Sequence, residues 1–358
     1  MVIQYKCQDC GADMSFDSNS GMLRCGSCGR QDNIADMQNQ ASKDEPIHDY
    51  EEFVDQTTYQ TFGEGQANQY QCQNCGAILI TEPDTTATTC SFCGSPIVLG
   101  DRLSGQLAPA KVIPFRISKQ QAEEAFTKWC KKGLLTPSGF MAANRVKSIV
   151  GMYVPFWLYD INGRGEAHAD CTRIRHYTQG DYDVTETKHY DVFRKVDVNY
   201  EKVPCDASEK MDDKLMDKLE PYHYSDLVNF NAPYLAGFVA EKYNYTDREL
   251  FPRVESRAKI YVDSYIRGTI TGYDTVNIIN KRLHINQKNA DYTLLPVWMF
   301  CYDYNKQDHI FAMNGQTGKV VGKPPLSKGK IAGWFTGITI TSFVIMRIIT
   351  VLLGGNIL

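Results

Sequence analysis

The residues best placed to do chemistry are eight cysteines arranged in four C-x-x-C pairs. Cys7, Cys10, Cys25 and Cys28 form one set, and Cys72, Cys75, Cys90 and Cys93 form the other. In both sets 14 residues separate the second cysteine from the third. Zn²⁺ is d¹⁰ and accepts four thiolates tetrahedrally, and a C-x-x-C turn presents two sulfurs to one face of the ion. Glycine follows every pair, as Gly11, Gly29, Gly76 and Gly94, where such a knuckle needs a positive φ. The spacing therefore predicts two zinc ribbons, each with one structural Zn²⁺. A catalytic zinc keeps a coordination position open, and four cysteines leave none. Thioredoxin-like exchange calls for a lone C-x-x-C beside a βαβ unit, a context that the matched sets lack.

These cysteines sit in an internal repeat. Tyr5–Ala12 reads YKCQDCGA, and 65 residues later Tyr70–Ala77 reads YQCQNCGA. A ribbon of this size buries too little core to fold alone, so metal binding of roughly 10–16 kcal/mol would hold it together. The ribbons are expected over 1–36 and 70–100. Between them 37–69 is polar and acidic, with Pro46, Gly63 and Gly65, and reads as a linker with one short helix near Tyr50–Val54.

With 358 residues and 43% hydrophobic content, the chain should form two or three globular units. The net charge of −4 hides an asymmetry. Residues 1–100 hold 4 Lys and Arg against 14 Asp and Glu, whereas 101–358 hold 34 against 28. Ribbons often bind nucleic acid, but Lys6, Arg24 and Arg30 face five aspartates in 1–38, and 70–100 contains no Lys or Arg. Each four-thiolate centre adds a formal charge of about −2. Such ribbons repel a phosphate backbone, so protein docking is the better reading and nucleic-acid binding the alternative. Nothing in MVIQYKCQDC reads as a signal peptide, and reduced, paired thiols fit the cytoplasm.

From residue 107 to 325 the texture is that of an α+β domain with antiparallel strands. Val112–Ile117 reads as a strand, and Ser118 with Gln121 as a capping box opening a helix through Ala122, Ala125, Phe126 and Trp129, with Gly133 as its stop. Strands are expected over 149–160, 164–175 and 183–198, broken at Asn162-Gly163 and Gln179-Gly180. A polar helix follows over 208–219. Thr246 with Glu249 caps another helix with a stripe of Leu250, Val254, Ala258, Tyr261 and Tyr265, although Pro252 suggests that its regular part begins at Phe251. Strands return over 273–285, 293–304 and 308–321, the last closing around Asn314-Gly315 and Thr317-Gly318. Val154–Asp160 (VPFWLYD) is echoed by Leu295–Phe300 (LPVWMF), and each copy follows a capped helix, which suggests a duplicated α+β unit.

The C-terminal stretch 331–353 is apolar apart from Arg347. As a helix it would be about 34 Å long, enough for a hydrocarbon core of about 30 Å. Lys319, Lys323, Lys328 and Lys330 precede it, which by the positive-inside rule keeps the N-terminal domains cytoplasmic, with Trp334 at the interface and Arg347 snorkelling at the far end. One transmembrane helix, a single-pass anchor in the cell membrane, is expected.

Other constellations are thin. No phosphate-binding loop, H-E-x-x-H or G-x-S-x-G occurs. His168, Cys171 and His176 lie close in sequence, but alternating strand faces would separate some of them. Cys130, Cys205 and Cys301 read as core residues. No catalytic set emerges, so an enzyme hidden in the α+β domain is the third reading.

The order of motifs is itself informative. Paired Y-x-C-x-x-C-G-A ribbons, then VIPFRIS at Val112–Ser118, then YVPFWLYD at Tyr153–Asp160, then a C-terminal span together resemble the YdjG-like bacterial membrane proteins. Their paired ribbons are of the transcription-factor-B type. Members are often labelled primosomal protein N′ or superfamily II helicase, a ribbon-level likeness in a chain without a nucleotide-binding loop. The resemblance covers nearly the whole chain, with Ile113–Ser118 and Tyr153–Asp160 its most telling parts. It implies a non-enzymatic, membrane-anchored adaptor in a membrane-stress complex. Its implied partners are a phage-shock-protein-A-like peripheral protein and an SPFH membrane-scaffold protein.

Overall fold

The computed structural model describes residues 2–39, 68–81, 84–91, 93–99, 108–137, 140, 146–304 and 307–352. Residues 40–67 of the expected linker, with the helix at Tyr50–Val54, and Leu353 of the expected span lie outside them.

In chain order the first ribbon contains β1 (Val2–Ile3), β2 (Met14–Asp17), β3 (Met22–Cys25) and β4 (Gln31–Asp32), and the second β5 (Asn68–Gln71), β6 (Ile78–Thr81), β7 (Thr85–Thr89) and β8 (Pro96–Leu99). The body follows with β9 (Lys111–Val112), α1 (Lys119–Lys131), β10 (Val146–Gln179), β11 (Tyr182–Asp206), α2 (Asp213–Met216), β12 (Val228–Asn229), β13 (Val239–Glu241), α3 (Asp247–Thr269), β14 (Thr275–Tyr304), β15 (Gln307–Asn314) and β16 (Val320–Val321). Helix α4 (Lys328–Leu352) ends the described chain.

One large mixed sheet organises the molecule. Its centre is β10, antiparallel to β11 on one side and to β14 on the other, while β9 joins β14 and β13 joins β10 in parallel. The strands expected over 149–160 and 164–175 are a single 34-residue strand, and those over 273–285 and 293–304 are a single strand of 30. Asn162-Gly163 is therefore no turn. Gly163 and Gly165 lie beneath α3, where a Cβ would sit 2.6 Å from Val262 Cγ2 and 2.5 Å from Ile266 Cδ1, respectively. The glycines serve close helix–sheet approach, the other reason a strand tolerates glycine. Gln179-Gly180 does turn the chain, with Gly180 at φ 64° and Gln179 opposite Tyr182.

At about 3.3 Å per residue the 34 residues of β10 span roughly 110 Å, and its distal part with β11 and β14 forms an arm. Helix α3 lies on one face of that arm, burying Val254, Ala258, Val262 and Ile266 against Ile161, Ala167, Ala169, Val192 and Ile285. Tyr261 and Tyr265, expected in the stripe, are exposed because the i, i+4 row from Val254 faces the sheet instead. The Thr246–Glu249 capping box forms, and α3 starts at Asp247 with Pro252 inside it. Pro252 is the sixth residue of α3, so its missing amide leaves the Arg248 carbonyl of the first turn without its helical partner.

The Ser118–Gln121 capping box forms as well, and α1 buries Ala122, Phe126 and Cys130. The expected strand over Val112–Ile117 pairs only at Lys111–Val112. The expected helix over 208–219 shortens to α2 and a 3-10 turn at Asp217–Leu219. The hairpin signals at Asn314-Gly315 and Thr317-Gly318 close β15 onto β16, with Gly318 at φ 74°.

The second ribbon divides between two sheets, and β5 and β6 form a two-stranded sheet of their own. Strand β7 pairs with β13 and β8 pairs with β1, so β7 and β8 belong to the large sheet. Ribbon 1 likewise shares a core with the body. Phe16 packs on Tyr234 and Phe238, and its amide donates to the Ala236 carbonyl at 2.9 Å. Helix α4 is different: its apolar side chains, Phe335 at 73% among them, are exposed. It is long and apolar enough to span a membrane.

Candidate metal centres

Each knuckle is built by the same backbone bonds. Gly11, Gly29, Gly76 and Gly94 donate their amides to the carbonyls of Cys7, Cys25, Cys72 and Cys90 at 2.8–3.1 Å. All four take positive φ, between 71° and 80°. The return bonds run from the amides of Cys7, Cys25, Cys72 and Cys90 to the carbonyls of Ala12, Arg30, Ala77 and Ser95. The first cysteine of every pair is thereby buried and the second faces solvent.

Cys7, Cys10, Cys25 and Cys28 bring their four sulfurs within 4.8 Å of one another, and so do Cys72, Cys75, Cys90 and Cys93. Sulfur–sulfur distances are 3.5 Å for Cys7–Cys28 and Cys10–Cys25, 3.7 Å for Cys72–Cys93 and 3.8 Å for Cys75–Cys90. A tetrahedron of Zn–S bonds of about 2.3 Å has edges of about 3.8 Å, so both groups fit the ion. Each is able to hold a metal ion, and the all-thiolate donor set suits zinc.

Four of the eight thiols are moved from the ordinary thiol value by their neighbours. The amides of Cys28 and Ser27 hold Cys25 down to about 6, and the Ser95 side chain and amide hold Cys93 down to about 6. Cys28 accepts the Arg30 amide, yet the thiols of Cys7, Cys10 and Cys25 push it up to about 12. Cys75, facing the Ala77 amide, is pushed up to about 12 by partial desolvation and by the thiols of Cys93, Cys72 and Cys90. Four like charges in one small volume cannot form together without a cation among them, which is the role a divalent metal fills.

Polar residues join the two centres, and no spacing in the sequence signals them. Gln4 Nε2 lies 3.7 Å from Cys72 Sγ, and Gln73 Nε2 donates to the Val2 carbonyl at 3.3 Å. Lys6 reaches both Asp13 at 2.6 Å and Asn74 at 3.2 Å. Ser95 Oγ sits 2.5 Å from Asp13 Oδ2 and 3.1 Å from Cys93 Sγ. Farther along, Lys210 bridges Asp84 of ribbon 2 at 3.0 Å and Glu241 of β13 at 3.4 Å. Burial alone would raise the Asp84 carboxyl, but the Lys210 ammonium and Asn244 hold it below its ordinary value.

The other candidates separate. His168 packs against the Phe193 ring on the exposed face of the arm, Cys171 is buried under α3, and His176 meets Thr185 near the tip. They form no common site. Cys130 and Cys205 are buried and Cys301 is half-buried, as core residues would be.

No family model and no solved structure matches the chain. The uncharacterized protein YdjG of Bacillus subtilis is 56% identical over 358 residues, covering 99% of this chain and 100% of that one. At that identity the two share their fold end to end, and this chain belongs to the YdjG family.

Proposed function

We propose that the chain is a membrane-anchored, cytoplasm-facing adaptor whose two ribbons, each folded around one structural Zn²⁺, recruit protein partners to the membrane. The observation that carries this reading is the fate of the ribbon cations. Lys6 is engaged by Asp13, and Arg30 by both Asp9 and Asp32, so two of the three cations of ribbon 1 are tied to its own aspartates. The second ribbon has none over 70–100. An acidic surface of this kind disfavours a phosphate backbone and suits a protein partner with a complementary basic face.

The anchor reading rests on α4. Its 25 residues would extend about 37 Å, and the lysines before it favour a cytoplasmic body. Arg347 lies over the Phe343 ring at 5.8 Å, four residues earlier on the same helix face, within reach of the far headgroups. The arm would then carry surfaces well away from the bilayer. Family resemblance makes a phage-shock-protein-A-like protein and an SPFH protein the first partners to try.

The test is an anisotropy titration of the zinc-loaded full chain, in lipid discs, against labelled single- and double-stranded DNA and RNA at low and moderate salt. The adaptor reading expects no binding even at low salt. Binding that weakens linearly in a log–log plot against salt would replace it with a membrane-tethered nucleic-acid-binding protein.

A further inference from the structure

We infer that the end of the body from which α4 emerges is a docking surface for anionic lipid headgroups, formed jointly by the end of α1 and the segment entering α4. The inference rests on the anchor reading above and adds a second, peripheral contact with the same leaflet.

Two stretches of the sequence, 125–159 and 309–358, contain no Asp or Glu. The fold brings them together, and their link nearest α4 is a pair of hydrogen bonds. The Ser327 amide donates to the Leu135 carbonyl at 2.8 Å, and Lys330 Nζ donates to the Thr136 carbonyl at 2.7 Å. Lys128, Lys131 and Lys132 are exposed in and after the last turn of α1, and Lys323 and Lys328 are exposed beside them. None of these five lysines makes an ion pair among the described residues, in contrast to Lys6, Lys195, Lys210 and Lys281.

Two large apolar side chains stand in the same place. Leu134, next to Leu135, is 61% exposed, and Leu326, next to Ser327, is 63% exposed. Leucines set among lysines match a bilayer interface, where the ammonium groups reach phosphates and the apolar side chains enter the acyl boundary. Trp334, one turn beyond Lys330 and 48% exposed, stands at the interface end of α4. A helix entering the bilayer at Lys328–Lys330 brings this surface against the headgroups, so the polyanion within reach is the leaflet itself. The ribbons, with their acidic excess, would be repelled from that leaflet. The charge asymmetry of the chain thus orients the body as well as the helix.

The experiment uses the full chain in discs of zwitterionic lipid alone and in discs with a third of an anionic phospholipid. Lysines are acetylated with a membrane-impermeant ester, and rates are normalised to Lys188, which is exposed on the arm. Lys131, Lys132 and Lys323 should react at least about tenfold more slowly in anionic discs, an attenuation set by the roughly fivefold that each lysine contributes near an anionic surface. Replacing Lys131→Gln together with Lys132→Gln should return Lys323 to its zwitterionic rate, because the two segments act as one surface. Equal rates in both lipids, in a chain that enters both discs, would overturn the surface and leave the anchor standing. A chain that enters neither disc would overturn the anchor and the surface with it.

Discussion

Trp157 and Trp298 each hold the entrance of a different helix. Trp157 Nε1 donates to the Tyr245 carbonyl at 2.9 Å, immediately before Thr246, the N-cap of α3. Trp298 Nε1 donates to the Ile117 carbonyl, also at 2.9 Å, immediately before Ser118, the N-cap of α1. Their surroundings repeat too. Tyr243 stands three residues before one cap and 5.2 Å from Trp157; Phe115 stands three before the other and 5.2 Å from Trp298. Six residues before each cap, Ala240 pairs with Tyr153 and Val112 with Leu294, each partner four residues ahead of its tryptophan. With Val154 opposite Leu295 in the antiparallel β10–β14 pair, the two arrangements are related by a local twofold. A duplicated helix–hairpin unit whose copies exchange tryptophans would leave this geometry.

Removing one indole N–H tests whether the exchange holds the halves together. Trp298→Phe, at a position 4% exposed, should destabilise the body by about 2–3 kcal/mol, because it leaves both a void and an unpaired carbonyl. Trp157→Phe, half-buried, should cost about 1 kcal/mol. Urea unfolding of the two variants checks the order, and equal, negligible losses would show that the bonds are incidental.

The helix on the arm offers a sharper case. Gly163→Ala should force α3 away from the sheet, since the new Cβ meets Val262 Cγ2, a short β-branched side chain with little room to give. Overpacking of this kind costs about 1–3 kcal/mol. Adding Val262→Ala should recover part of that loss, so the double-mutant cycle should show a favourable coupling. If Asn162-Gly163 were a solvent-exposed turn, Val262→Ala would add its own cost and recover nothing.

That pair of residues also shows where the sequence stops being readable. The knuckles, both capping boxes and the turns at Gln179-Gly180 and Asn314-Gly315 depend on neighbours within a few residues, and local chemistry specifies them. Asn162-Gly163 carries the same local signal as a turn, but its conformation is decided by α3, about 100 residues away. Tyr261 and Tyr265 fit a helical stripe as well as Val262 and Ile266 do, and only the position of the sheet chooses between them. The merging of β7 and β8 into the large sheet leaves no mark at all, because it rests on β13, β1 and the Lys210 bridge.

Asp206 sets a pH dependence of stability. Burial drives its carboxyl up to about 7; the Ser208 amide at 3.1 Å pulls against this, Asp213 and Asp217 add to the rise, and Arg253 opposes it. Its Oδ2 has no hydrogen-bond partner among the described residues. A folded-state value above the unfolded one means that the folded chain holds this proton more tightly. The resulting stabilisation is complete below about pH 4 and is lost as pH rises through about 7. Asp206→Asn should flatten that slope, and by pH 8 it should be more stable than wild type by roughly 2–4 kcal/mol relative to their difference at pH 4. Parallel stability–pH curves for the two proteins would refute the assignment.

Metal loss should not stay within the ribbons. Phe16 and Leu23 of ribbon 1 share a core with Phe115, Phe126 and Phe238, so a collapsed first knuckle exposes one wall of the body. In ribbon 2 the route is the sheet, through β7 on β13 and the Lys210 bridge to Asp84 and Glu241. Cys7→Ser with Cys10→Ser, and separately Cys72→Ser with Cys75→Ser, should each leave one bound zinc of two by elemental analysis. Each should also lower the calorimetric transition of the body, by roughly 10 °C for the first pair, since losing aromatic core contacts costs about 3–5 kcal/mol and a domain of this size shifts about 2–4 °C per kcal/mol. Ribbons hanging from flexible tethers would lose their zinc and leave that transition where it was. Shared hydrophobic contacts and backbone ladders make the two events one.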